Sequence, residues 1–131
     1  MKETQQSNVD KGDLVIRTVA MPKDANFNND IFGGWLLSQM DSGGAIAARK
    51  CSKSRIATVA IDSMQFKHPV HIGDTLCCYA KLLKVGTTSM SFRITAWIRR
   101  QGIGEHLCVT DAIFTYVAID DHGQSIPVNR D

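Results

Sequence analysis

Residues 30–50, DIFGGWLLSQMDSGGAIAARK, read as one amphipathic helix, and the way that helix buries its apolar stripe decides the fold. From Phe32 onward, Leu36, Met40, Gly43 and Ala47 fall on one line, and Leu37, Gly44 and Ala48 on the next. That is the spacing of a 3.6-residue repeat. Asp30 stands where an N-cap is expected, and Arg49 and Lys50 occupy the last turn, where cations suit the helix dipole. Three residues disturb the pattern. Asp41 puts a carboxylate among apolar neighbours, which is costly if it is buried without partners. Gly43 and Gly44 each cost roughly 1 kcal/mol relative to alanine inside a helix. Two glycines beside an acid mark a place where another backbone or a ligand comes close. Gly33 and Gly34 at the helix start leave N–H groups free to approach an anion or a developing oxyanion. An acid at the edge of the stripe and a tight turn into the helix are the simpler readings, and spacing alone leaves both open.

Outward from the helix the pattern is β. Residues 13–21, DLVIRTVAM, read as a strand ended by Pro22, and the polar stretch 22–30 leads into the helix. After CSKS (51–54) come RIATVAIDSMQF (55–66), TLCCYAKLLKV (75–85), TTSMSFRITAWIRR (87–100) and HLCVTDAIFTYVAI (106–119), separated by HIGD, Gly86 and QGIGE. Branched and aromatic residues with two-residue alternation mark these as strands. One strand, one helix and four strands joined by short turns predict an α+β fold, an antiparallel meander with the helix laid across it as the core. All 131 residues form one domain, with flexible tails at 1–12 and about 121–131. The sheet has two open edges, which invite pairing between subunits. A homodimer with a continued sheet is the expectation.

Composition narrows the function. A net charge of +2 is too weak to argue for nucleic acid, but it does not repel an anionic metabolite. The polar N-terminus and the lack of any run of about 18 apolar residues predict a cytoplasmic protein without a membrane partner. Cys77, Cys78, His106 and Cys108 are a poor zinc set, because adjacent strand residues point to opposite faces. No metal is expected. Asp30 and Asp41 lie roughly 16 Å apart along one helix, outside the roughly 5 to 9.5 Å that paired carboxylates use in glycoside hydrolysis. There is neither a GxSxG elbow nor a GxxxxGK loop.

Residues 14–50, with RIATVAIDSMQFKHPVHIGD (55–74) and VGTTSMS (85–91), together resemble the YciA-type acyl-coenzyme A thioesterases of the hotdog superfamily, from Asp13 to about Ile119. The resemblance implies an antiparallel sheet wrapped around one long helix, working as a dimer and often as a trimer of dimers. It implies hydrolysis of acyl-CoA to a carboxylic acid and coenzyme A, with no cofactor beyond the coenzyme A of substrate and product. Asp41 takes the place of the catalytic acid, as general base for water or as nucleophile. Asn26 takes the place of the active-site asparagine, contributed in relatives by the opposite subunit. The amides of Phe32, Gly33 and Gly34 would polarise the thioester carbonyl. Arg55, Lys67, Thr87, Thr88 and Ser89 are candidates for the coenzyme A route, and Trp35, Met40, Met64 and Phe66 for closing the acyl pocket. Two positions depart from the family. Asn29 stands where relatives commonly have a glycine, at a point that can require a positive φ, which asparagine tolerates best among the other residues. His68 stands where relatives usually have Lys or Arg. A hotdog dehydratase or hydratase, and a non-catalytic acyl-CoA binding protein, are the alternative readings.

Overall fold

The computed structural model describes residues 10–100, 104 and 106–129. Among these, β1 (Asp13–Val19), β2 (Arg55–Phe66), β3 (Thr75–Val85), β4 (Ser89–Arg99) and β5 (His106–Ile119) form one sheet, and a helix, α1 (Gly33–Ser52), runs between β1 and β2. A 3₁₀ turn at Pro22–Asp24 follows β1. Every strand pair is antiparallel, in the order β1-β3-β4-β5-β2. The expected meander therefore holds for β3 to β5 only. β1 and β2 take the two edges, so β2 crosses the sheet to pair with β5. The QGIGE turn before β5 lies outside the described residues except for Gly104.

The two-residue alternation sends one face of the sheet to the helix. Leu76, Cys78 and Ala80 of β3, Phe92, Ile94, Ala96 and Ile98 of β4, and Ala112, Phe114, Tyr116 and Ala118 of β5 are buried with Leu36, Met40 and Ala48 of α1. Side chains of this size contribute roughly 1.5 to 3 kcal/mol each when fully buried, so this seam supplies most of the cohesion. The glycines sit where helix and sheet are closest. A Cβ on Gly43 would lie 2.6 Å from Val15 Cγ2 and 3.0 Å from Ile16 Cγ1, and one on Gly44 would collide with the Tyr116 hydroxyl. This is the hotdog arrangement, with the helix wrapped by its sheet. Among the described residues no helix is long and apolar enough to cross a membrane.

One expectation is corrected. Asp30 does not cap α1: the helix begins at Gly33, its N-cap position is Phe32, and no side chain caps it. Asp30 is held in an extended loop instead. Its carbonyl accepts the Asn26 N–H at 2.7 Å, it bridges to His71, and its carboxylate lies 3.6 Å from His71 Nε2. Part of the expected C-terminal tail makes contacts with the fold. The Ile126 N–H donates to the Ala118 carbonyl at 2.9 Å and the Val128 N–H to the Thr87 carbonyl at 2.8 Å. Val128 joins the core and Ile126 packs against it, and that apolar burial gives the segment a reason to dock. Of the expected N-terminal tail, residues 1–9 lie outside the described residues. Lys11, by contrast, sits 4.0 Å from the Trp97 ring centroid, and Asp10 pairs with Lys81 at 2.7 Å.

The edge strand β2 is irregular. Its register against β5 shifts between Thr58 and Ala60 and again between Asp62 and Gln65, where Ser63 has φ 60°. These are β-bulges, which bend a strand away from the flat ladder. The loop from β2 to β3 is pinned by an ion pair between buried Asp74 and half-buried Arg100. Arg100 Nε and Nη2 donate to the two carboxylate oxygens of Asp74 at 3.0 and 2.9 Å, and the His71 N–H donates to Asp74 Oδ2 at 2.8 Å.

Candidate active site

Asp41 lies in the middle of α1, half-buried, where the helix crosses the β2 side of the sheet. Thr58 of β2 pairs directly with Tyr116 of β5, so the register sets two hydroxyls side by side beneath it. Thr58 Oγ1 donates to Asp41 Oδ1 at 2.8 Å. Tyr116 Oη reaches the same oxygen at 3.2 Å and the Asp41 carbonyl at 3.1 Å. Burial, followed by the neighbouring Asp41 charge and the hydrogen bond to it, pushes the Tyr116 pKa well above the ordinary tyrosine value. The phenol therefore stays protonated and acts as a donor. Among the described residues Asp41 Oδ2 accepts no hydrogen bond and is open to a water or a substrate. Gly44 permits this geometry, since any larger residue there would push the Tyr116 hydroxyl away.

The start of α1 forms a second group. Gly33 and Gly34 are its first two residues, where N–H groups have no intrahelical acceptor. A Cβ on Gly34 would meet nothing within 4 Å, and one on Gly33 would lie 3.1 Å from the Phe66 ring. Phe32 does not belong with them, because its N–H donates to the Asp24 carbonyl at 3.1 Å and is not available to polarise a carbonyl. Asn26 lies in the preceding loop. Its Oδ1 accepts the N–H groups of Asn28 at 2.8 Å and Asp30 at 3.2 Å, which leaves its amide NH₂ as the group able to donate outward. Asn29 has φ 65°, the conformation for which a glycine is the usual choice. A cleft of about 350 Å³ opens beside this group, lined by residues including Ile31, Gly33, Leu36, Phe66 and Lys67.

The two groups lie apart along the helix. Gly34 and Asp41 are seven residues apart, about 10 Å along the helix at ~1.5 Å per residue. A reacting carbonyl must lie within roughly 3 Å of its oxyanion donors, whereas a base reaches it through an intervening water.

The residues expected along the substrate route also separate. Arg55 and the 87–89 turn share one end of the sheet. Arg55 pairs with Ile119 and donates to the Asp121 carbonyl at 3.2 Å, while the Thr88 carbonyl accepts the Ala118 N–H at 2.9 Å and Ser89 pairs with Val117. Thr87 holds the C-terminal tail. Lys67 lies past the opposite end of β2, on the cleft wall, with its Nζ 3.3 Å from Asp111 Oδ2. Of the residues expected to close an acyl pocket, Phe66 lines the cleft, Trp35 and Met64 are half-buried, and Met40 is fully buried in the core and does not reach the cleft. Cys77 and Cys78 do point to opposite faces, Cys78 into the core beside Ala96 and Cys77 outward beside Trp97.

Thr58 and Tyr116 are the residues that sequence reasoning missed. Tyr116 leaves one trace in the sequence, Gly44, whose missing side chain signals a bulky neighbour without saying which, and Thr58 leaves none.

Residues 28–105 match the family model of the thioesterase superfamily. The acyl-CoA thioester hydrolase YciA of Escherichia coli strain K12 is 49% identical over 126 residues, covering 92% of this chain and 96% of that protein. The crystal structure of a hexameric broad-specificity acyl-coenzyme A thioesterase superposes with a TM-score of 0.89 at 48% identity, over 95% of this chain and 86% of that one. That of a hexameric thioesterase from Yersinia pestis gives 0.88 at 46% identity, over 93% and 99%.

Proposed function

The chain belongs to the thioesterase superfamily, and on that premise we propose that it hydrolyses acyl-coenzyme A to a carboxylic acid and coenzyme A, with Asp41 as the base. One observation carries the assignment of the acid: Oδ1 of Asp41 is tethered by Thr58 and Tyr116, while Oδ2 is left open. A water bound at Oδ2 gives up a proton to the carboxylate as its oxygen attacks the thioester carbonyl. The N–H groups of Gly33 and Gly34 receive the developing oxyanion. Collapse of the tetrahedral intermediate breaks the C–S bond, and the departing thiolate takes the proton from Asp41. A thiol with pKa near 8.5 leaves without a strong general acid, so neither a metal nor a cofactor is needed.

We infer a site shared between two chains, with Gly33, Gly34 and Asn26 from one and Asp41 from the other, in keeping with the assembled relatives of known structure. The edge strand β2 is the natural seam. Thr58 stands on it, and Val59, Ile61 and Phe66 are among its exposed apolar residues. The hexamers formed by the relatives of known structure support a trimer of such dimers. Arg55, Thr87, Thr88 and Ser89 then guide coenzyme A at one end of β2, and Lys67 serves at the other.

The test is hydrolysis of a panel of acyl-CoA chain lengths, with released thiol followed colorimetrically, for the wild type and Asp41→Ala. Removing the base should lower kcat by about 10² to 10⁴-fold. Undiminished turnover in Asp41→Ala would refute the assigned role, and no turnover of any chain by the wild type would point to a binding protein.

A further inference from the structure

The face of the sheet turned away from α1 carries a second pocket, of about 280 Å³, lined by Arg17, Thr75, Cys77, Arg99 and His106. The strand register builds it. Thr75 of β3, Arg99 of β4 and His106 of β5 form one cross-strand row, and Arg17 of β1 pairs with Cys77 one step along. Leu76 and Ile98, the sequence neighbours of these residues, point into the core, so the row faces outward. Arg17 Nε donates to Cys77 Sγ at 3.4 Å, which anchors the guanidinium by its inner nitrogen beside Tyr79, with the remaining N–H groups of the fork on the pocket side.

Arg55, Arg93 and Arg100 each have a carboxylate within 4.0 Å, whereas among the described residues Arg17 and Arg99 have none. Two arginine forks two strands apart and two residues out of line, about 12 Å at the backbone, can converge on one tetrahedral oxyanion between them. The Thr75 hydroxyl supplies a neutral donor on the floor. The volume suits a single anionic group better than a whole drug-sized ligand.

We propose that this pocket is an anion site that takes a phosphate group, on the opposite face of the sheet from Asp41. The phosphate is either a free one, on a small metabolite or inorganic, or the phosphate end of coenzyme A held by a neighbouring copy of the chain.

Isothermal titration with inorganic phosphate at constant ionic strength, on the full-length wild type and on Arg17→Gln/Arg99→Gln, tests it. The wild type should bind phosphate and the double variant at least tenfold more weakly. Both arginines are exposed, so the variant should fold, and Arg17→Gln and Arg99→Gln singly should each show part of the loss. Steady-state kinetics separates the two sources. A raised KM for acyl-CoA with unchanged kcat assigns the pocket to the substrate's own phosphate, and unchanged constants assign it to a separate anion. Absence of binding by the wild type at roughly 10 mM phosphate, or equal binding by the double variant, overturns the proposal. So does a change of oligomeric state in the variant, which would make the pocket a seat for another copy's carboxylate.

Discussion

Two hydroxyls on one carboxylate oxygen orient Asp41 and bias which of its lone pairs meets water. Thr58→Val removes the 2.8 Å bond while keeping the shape of the side chain. Hydrogen bonds to charged groups are worth about 1.5 to 3 kcal/mol, so kcat should fall roughly 10- to 100-fold, with KM little changed and Thr58→Ser restoring most of the rate. An unaltered kcat in Thr58→Val would show that Asp41 needs no such tether. The Tyr116 phenol carries a pH signature. Its folded-state pKa is raised above the unfolded value near 10, so the unfolded chain loses this proton first. Its contribution to stability is therefore complete below about pH 10 and is lost as pH climbs toward the folded pKa. Tyr116→Phe should flatten the alkaline limb of a denaturation profile, and an identical limb would contradict this. The acid was legible in the sequence because a carboxylate on an apolar stripe is costly. Its partners were not, because they lie 17 and 75 residues away and meet it only through the pairing of β2 with β5.

At the scale of elements, the fit between α1 and β5 depends on an atom that is absent. Gly44→Ala should displace the Tyr116 hydroxyl, costing about 1 to 3 kcal/mol as overpacking does and lowering kcat at least as far as Tyr116→Phe. Chemical denaturation together with the thiol assay would show both effects. The β2–β3 loop offers a contrast. Arg100→Met leaves the Asp74 carboxylate buried without its cation, and should cost about 3 to 5 kcal/mol in urea unfolding, more than Asp74→Asn, whose partner Arg100 can still reach solvent. β2, β3 and β5 could be read to the residue because turn signals bound each run. The helix start was misplaced by two residues, since Asp30 has the chemistry of a cap but is tied to Asn26 and His71. The docked tail was invisible, because two apolar residues in a polar stretch acquire meaning only when a surface stands beside them.

At the scale of the whole molecule, a shared site makes a sharp prediction. Asn26→Ala and Asp41→Ala should each be nearly inactive alone, yet a refolded equal mixture should recover about a quarter of wild-type activity, because about half the dimers are mixed and each of those has one intact site. No recovery in a mixture shown to contain heterodimers would place both residues in one chain's site. The seam itself has a last consequence. Two bulges interrupt β2, one of them with Ser63 at φ 60°, so its outer edge offers no long, flat ladder to a passing strand. Open-ended stacking of identical strands requires such regularity, and fibril growth proceeds from it. A strand bent in this way pairs only with one bent to match, and that irregularity keeps a newly made chain from templating a run of others.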